Sequence, residues 1–186
     1  MTRKLLDGRL CWDGTVITLR RLRTDDAPAL TDLLIRNRAF MTPWEPTRDD
    51  DYFTPRWQEG EVARLVALAG TGVMDPFVIL DEDGIAGRIT VNNIVRGPLL
   101  SASVGYWVDE ARGGRGVASA ALAALIPIAF GELGLHRLEA GTLTHNVRSQ
   151  RVLLKNGFVQ YGLAPRYLRI DGAWQDHLLY QLLDEA

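Results

Sequence analysis

Between Trp107 and Ser119 the chain passes from strand-like alternation into a glycine-rich turn, Gly113-Gly114-Arg115-Gly116-Val117-Ala118, and then directly into a long apolar stretch of helical length. Successive glycines let the backbone curl tightly, so several N–H groups and the positive end of the following helix converge on one point. That geometry suits an anion, and a phosphate-bearing ligand is the natural occupant. A nucleotide P-loop is excluded, because no Gly-Lys-Ser/Thr follows to meet the β and γ phosphates. A dinucleotide fingerprint belongs in the first βαβ unit with an acid ending the next strand. Here the turn lies past the midpoint and Glu132 is still within the helical stretch. The same residues would also serve a plain strand-to-helix connection, so the rest of the chain must decide.

Around this turn the periodicity predicts an ordered series of elements. Val16–Leu22 alternates as a strand, and Thr24 caps a helix from about Asp25 to Arg36. Asn37–Pro55 reads as irregular, and a second helix covers Trp57–Ala69. Phe77–Leu80 and Ile85–Ile94 form a hairpin about Asp81-Glu82-Asp83-Gly84, followed by a strand at Ser101–Val108. Val117–Leu133 is apolar nearly all round, with Pro127 inside it to kink or interrupt the helix. A strand at Arg137–Thr142 leads to a helix at Asn146–Asn156 that closes on Gly157. Extended segments at Phe158–Leu163 and Tyr167–Ile170 then turn at Asp171-Gly172 into Ala173–Leu183. The pattern predicts a mixed α/β (α+β) domain, with a mostly antiparallel sheet covered by helices.

Length and composition narrow the class further. At 186 residues the chain is read as one domain, residues 1–186 with a core at 16–183, long enough to bury about two-thirds of its unfolded surface. Its formal charge of −2 argues against a non-specific nucleic-acid binder, which would carry a basic face. No apolar run is long enough to span a bilayer, and Met1–Trp12 lacks the apolar core of a signal peptide. The single cysteine, Cys11, has no internal disulfide partner and reads as packed or idle, so a reducing, cytoplasmic setting is expected.

Four segments carry a resemblance. The turn itself has Gly116 and Ala118 at two fixed positions of a Gln/Arg-x-x-Gly-x-Gly/Ala pattern, with Gly113 at the first. The others are Asn146-x-x-Ser149-x-x-Val152-x-x-Lys155-x-Gly157-Phe158, Asn37-x-x-Phe40-x-x-Pro43-Trp44-Glu45-Pro46, and Tyr167-Leu168-x-Ile170-Asp171-Gly172-x-Trp174-x-Asp176-His177. In this order, over about nine-tenths of the chain, they resemble the GCN5-related N-acetyltransferases (GNAT), and within them the RimJ/RimL branch that acetylates protein N-termini. The resemblance implies the GNAT fold, a twisted sheet of about six to seven strands flanked by about four helices. It also implies acetyl-coenzyme A as cosubstrate, no metal, and a monomer or homodimer without membrane or direct nucleic-acid contact.

The resemblance further assigns roles. Tyr106, Trp107 and Val108 end a strand that splays from the next, leaving a gap for pantetheine and the acetyl group; an amide near Val108 would polarise the thioester carbonyl. Gly113, Gly114, Arg115, Gly116, Val117 and Ala118 would cradle the pyrophosphate, with Arg112 and Arg115 adding charge. Asn146 caps its helix and contacts the coenzyme. Many relatives place a tyrosine seven residues after that asparagine to protonate the departing thiolate; this chain has Leu153 there. Ser149 is carried over for that task. For the base Glu45 and Glu139 both stand, ahead of Asp176 and His177, while Trp44, Glu45 and Tyr167 border the acceptor. Asp49, Asp50 and Asp51 add an acidic tract suited to steering a basic N-terminus, such as that of a small-subunit ribosomal protein. Acetylation of a small amine, and coenzyme binding without turnover, are the alternatives.

Overall fold

The structure, a computed structural model, describes residues 3–6, 9–12 and 14–185, with side chains from Gly14 to Glu185. Among these residues nine strands form one sheet in the order β1-β2-β3-β4-β5-β6-β7-β9-β8. The strands are β1 (Arg3–Leu6), β2 (Arg9–Trp12), β3 (Thr15–Arg21), β4 (Asp75–Asp81), β5 (Gly84–Val95), β6 (Ser101–Val108), β7 (Arg137–Leu143), β8 (Val159–Ile170) and β9 (Ala173–Leu183). All neighbours pair antiparallel except β6 and β7, which run parallel. The five α-helices are α1 (Ala27–Arg36), α2 (Arg38–Met41), α3 (Pro55–Gly70), α4 (Val117–Pro127) and α5 (Val147–Lys155).

The seven strands from β3 onward match the expected sheet. The N-terminal pair β1–β2 extends it, with Leu10 opposite Ile17. Its signal is present in the sequence as Asp7-Gly8 and Asp13-Gly14, the same dipeptide that marks the β8–β9 turn. The reading of Cys11 as packed or idle concerns a side chain outside the described residues. Residues 37–55 are less irregular than expected: α2 and short 3₁₀ turns at Thr42–Trp44 and Asp50–Phe53 occupy them. The two extended pieces at 158–170 are one strand, β8, whose register shifts between Ala164 and Leu168. Asp176 holds that irregularity by accepting the Arg166 N–H at 2.8 Å.

Helices cover both faces of the sheet. On one, α4 and α5 bury Ala120, Leu122, Leu125, Leu153 and Phe158 against Ile89, Val104 and Leu138. On the other, α1 and α3 bring Leu30, Val62 and Leu65 against Leu22 and Val78. Pro127 has no N–H to continue the α pattern, and α4 passes there into a π-helical turn, Ile128–Glu132, closed by the Leu133 N–H on the Ile128 carbonyl at 2.9 Å. At the end of α5, Gly157 takes φ +84° and the Phe158 N–H returns to the Leu153 carbonyl at 3.1 Å. This six-to-one closure drops Phe158 into the core.

A polar junction ties the end of α1 to the ends of β4 and β6. Asp109, 1% exposed at the end of β6, accepts from Arg36 at 2.6 Å, Asn37 at 2.9 Å and Arg112 at 2.7 Å. Asn37 in turn accepts the Glu110 N–H at 2.8 Å, and Arg112 donates to Asp81 at 2.6 Å. Burial pushes the Asp109 carboxyl up, but the hydrogen bonds from Arg36, Asn37 and Arg112 outweigh it and hold the group down at about 2. The folded state therefore favours the carboxylate, and that stability is present above the unfolded value near 4 and lost as pH falls toward 2. Asp109→Asn is expected to lower stability at pH 7 by about 2 kcal/mol, or about 4–8 °C in Tm, with the gap from wild type closing between pH 4 and pH 2. Thermal melts across that range check it; a gap independent of pH would show that the carboxylate's charge is not what stabilises the junction.

Candidate active site

Among the described residues one step in the sheet is parallel, and it opens a gap. β6 and β7 pair over Ser101–Ser103 and Arg137–Glu139, and no pairing continues beyond. The Arg137 N–H reaches the Leu100 carbonyl and the Asp109 N–H reaches the Ala86 carbonyl on β5, which fixes the alternation along β6. Even-numbered residues turn their main chain toward β7, so the N–H and C=O groups of Tyr106 and Val108 face the gap, opposite those of Gly141. Unpaired main-chain groups in such a cleft are available to a ligand carrying amides.

Below the gap lies the glycine turn. Gly114 and Gly116 take φ +75° and +84°, a left-handed conformation that costs other residues about 1–2 kcal/mol. A Cβ on Gly116 would also meet Thr15 Oγ1 at 3.2 Å, and one on Gly113 would meet the Glu110 carbonyl at 2.9 Å. Thr15 Oγ1 donates to the Arg115 carbonyl, pinning the turn to β3. Gly116 is the N-cap of α4 and brings no side-chain cap, so the first N–H groups of the helix, from Val117 and Ala118 onward, are left to an outside acceptor. Arg115 is exposed at the turn. Arg112, expected to add charge here, is instead taken by Asp81 and Asp109 and shapes the turn from behind.

The remaining expected residues fall on the two faces of the gap. Asn146 caps α5 by accepting the Ser149 N–H at 3.1 Å. The Tyr106 phenol crosses from β6 to the Ser149 hydroxyl at 2.9 Å. Leu153 is fully buried in the core. On the opposite face Arg88, cross-strand from Val78 and Trp107, lies beneath the loop that carries Glu45. Glu45 is half-buried, and burial raises its carboxyl above the ordinary range while Arg48 and Arg88 act to lower it. Its main-chain carbonyl accepts the Asp171 N–H at 3.2 Å, tying the loop to the β8–β9 turn. Trp44 lies 5.7 Å, ring to ring, from His145 at the start of α5. A cavity of about 160 Å³ opens beside Glu45 among Arg38, Met41, Arg48, Tyr52 and Phe53. Tyr167 stacks obliquely on the buried His177 at 5.4 Å, and both rings close on Gly141. Glu139 sits at the paired end of β7, accepting from Tyr161 at 3.0 Å and lying 3.7 Å from Arg137. Tyr52 and Arg88 carried no sequence signal, since their importance comes from what folds over them.

Similarity to known proteins shows the family. Residues 17–159 match the model of the acetyltransferase (GNAT) domain. The chain belongs to the GNAT acetyltransferase family. Across 180 residues it is 36% identical to the ribosomal protein uS5-alanine N-acetyltransferase of Escherichia coli, covering 94% of this chain and 90% of that one. It is 34% identical to a probable N-acetyltransferase of Bacillus subtilis over 92% of this chain and 96% of the relative. Among solved structures, Mycobacterium smegmatis RimJ in complex with CoA-disulfide superposes with a TM-score of 0.89 at 38% identity, over 92% of this chain and 83% of that one. Membership makes this protein an N-acetyltransferase with the RimJ/RimL type of fold. It also makes the glycine turn directly testable. Gly116→Asp places a carboxylate against the N-terminus of α4 and a side chain against Thr15, and is expected to weaken coenzyme A binding at least 100-fold, about 3 kcal/mol, in calorimetric titration. Unchanged affinity would remove the turn from the coenzyme site.

Proposed function

We propose that this protein transfers the acetyl group of acetyl-coenzyme A to the N-terminal α-amine of a protein, with the N-terminal alanine of a ribosomal protein as its acceptor. The observation that carries this reading is the paired opening itself. A gap edged with main-chain amides lies beside a glycine turn that leaves the first N–H groups of α4 uncapped, and the Glu45 main chain is hydrogen-bonded to the β8–β9 turn. The pyrophosphate of the coenzyme would sit on the turn at Gly114–Ala118, and its amide-bearing arm would run between β6 and β7. The Val108 N–H, directed into the gap, would polarise the thioester carbonyl. Relatives whose names specify ribosomal-protein alanine support the acceptor class.

The chemistry is attack of a neutral amine on the thioester carbon. An α-amine with pKa near 8 is roughly one-tenth neutral at pH 7, whereas a lysine is neutral only in a few parts per ten thousand. A base of modest strength therefore suffices for an N-terminus. Glu45 fits this task because burial raises its carboxyl toward the working pH. Asp50 is engaged by Arg38 at 2.5 Å, whereas no ion pair within 4 Å joins Asp49 or Asp51 to a cation among the described residues. These two acids give the rim of the loop a negative field that favours a basic peptide and weakens with salt.

The test is thiol release with peptides beginning Ala, Ser or Met, compared with small amines. Release with the Ala peptide is expected, with Glu45→Gln lowering kcat by about 10²–10³-fold and removing the part of the acid-side fall in kcat/KM that comes from protonation of this carboxylate. Turnover of small amines alone would redirect the acceptor assignment. Coenzyme binding without release from any amine would overturn transfer altogether.

A further inference from the structure

The proposed reaction needs a hydrogen-bond donor for the departing sulfur, and α5 carries no tyrosine to supply one: Leu153 is fully buried at that place. A phenol nevertheless reaches the helix, from the strand. Tyr106 sits on β6 three residues beyond the last β6–β7 pair, and its hydroxyl meets the Ser149 hydroxyl at 2.9 Å and the Ser149 carbonyl at 3.3 Å. We infer that Tyr106 is a positioning residue for acetyl transfer, donating its hydrogen to Ser149 Oγ so that the serine's own O–H is aimed at the thioester sulfur.

Three observations on the two residues carry this. First, Ser149 has little freedom: its N–H is held by Asn146 at 3.1 Å in the first turn of α5, so its hydroxyl is presented from a fixed backbone. Second, of two hydroxyls in contact the phenol is the stronger acid and hence the better donor, leaving the alcohol as acceptor with its hydrogen free. The reverse arrangement would point the phenol's hydrogen at the more distant carbonyl and spend the serine's hydrogen on the ring oxygen. Third, the phenol does not titrate where the enzyme works. Burial pushes it up to about 12, with the Ser149 hydrogen bond drawing it partly back. Tyr106 is thus a permanent donor and is never itself the acid.

This rests on the acetyl-transfer reading, and the step balances without the phenol changing state. The amine nitrogen bonds to the carbonyl carbon and its proton passes to the base. The C–S bond then breaks with its pair on sulfur, the thiolate is met by the Ser149 O–H, and it takes its final proton from water. Tyr106 contributes only the direction of the serine's hydrogen. A buried dipole held in place needs no reorganisation as the charge develops, which is why such donors act mainly on kcat.

A double-mutant cycle decides the matter, with acetyl-coenzyme A and an N-terminal alanine peptide as substrates. Tyr106→Phe is expected to lower kcat about tenfold while KM for acetyl-coenzyme A moves less than twofold. Ser149→Ala should lower kcat by tenfold or more, and the double variant should match Ser149→Ala within twofold, because without the serine the phenol has nothing to aim. Multiplied effects in the double variant, or full kcat in Tyr106→Phe, would overturn the role of Tyr106 while leaving acetyl transfer intact. Full kcat in Ser149→Ala would overturn both roles on this side of the gap. Peptide left unmodified by the native enzyme would instead count against the acetyl-transfer reading itself. Should Tyr106→Phe fold poorly, a fluorinated tyrosine at position 106 keeps the ring and lowers its pKa. Burial and Ser149 are the influences on this phenol, with no charged group on the neighbouring strands or helices among them. The fluorinated protein should therefore lose kcat at alkaline pH, where the native protein does not; superimposable profiles would overturn the proposal.

Discussion

The rest of the molecule is arranged around a pairing that stops. β6 and β7 share three residue pairs and then part, although each continues to pair on its other side, β6 with β5 up to Val108 and β7 with β9 up to Leu143. Two continuous antiparallel ladders thus hold open a seam that a sheet would otherwise close. Main-chain groups left unpaired in a protein interior are costly, so such a seam persists only where something else is meant to satisfy them. The helices enforce it: α4 springs from the end of β6, and α5 follows β7 directly. Their shared core of Leu122, Leu125, Leu153 and Phe158 fixes the angle between the two halves.

The anion turn depends on the same seam. It begins where β6 ends, and its shape is set less by the glycines than by what grips its first residues. Asp109 anchors the strand's end to Arg36 on α1 and to Asn37 just after it, and Arg112 reaches back to Asp81 on β4. The glycines permit the positive φ values, while this charged junction selects one conformation among those permitted. Because α1 leads through α2 into the Glu45 loop, the junction also ties the glycine turn to that loop. A buried carboxylate with three donors is a rigid link, since every alternative strands a charge.

Much of this was legible in the sequence because local chemistry agreed with the fold. Gly157 followed by Phe158, the Asp171-Gly172 turn, and the glycine run before an apolar helix each demand one local geometry. The parts that were not legible depend on distant partners. Arg112 next to a phosphate turn reads as a phosphate ligand until Asp81, thirty-one residues earlier, is seen to occupy it. Pro127 declares an interruption but not its form, because a kink and a π turn relieve the same missing donor. The β1–β2 pair lies outside the sequence-based expectation although Asp-Gly dipeptides stand at 7–8 and 13–14, since four-residue strands carry little periodicity. Arg88 is an ordinary strand residue in sequence, and Tyr106 carries there only the coenzyme-gap role that the resemblance gives it. Only the strand parity that sends one toward the Glu45 loop and the other toward α5 gives them their places.

That parity has a chemical consequence. Arg88 and Trp107 project from one face of the sheet, Tyr106 and Val104 from the other, and the gap passes between them. A thioester lying in the gap would be approached from the α1–α3 face, where Glu45 sits in partial burial. Its sulfur would be met from the α4–α5 face, where Ser149 and Tyr106 stand. On the proposed reading, the raised carboxyl and the permanent donor would approach the thioester from different faces of the sheet, with the substrate between them. In a single pocket the carboxylate would capture the serine's hydrogen; across a splayed sheet only the substrate can connect them. On the proposed reading, the opening between the two parallel strands would be the binding slot, and a closed ladder at this position would leave no room for one.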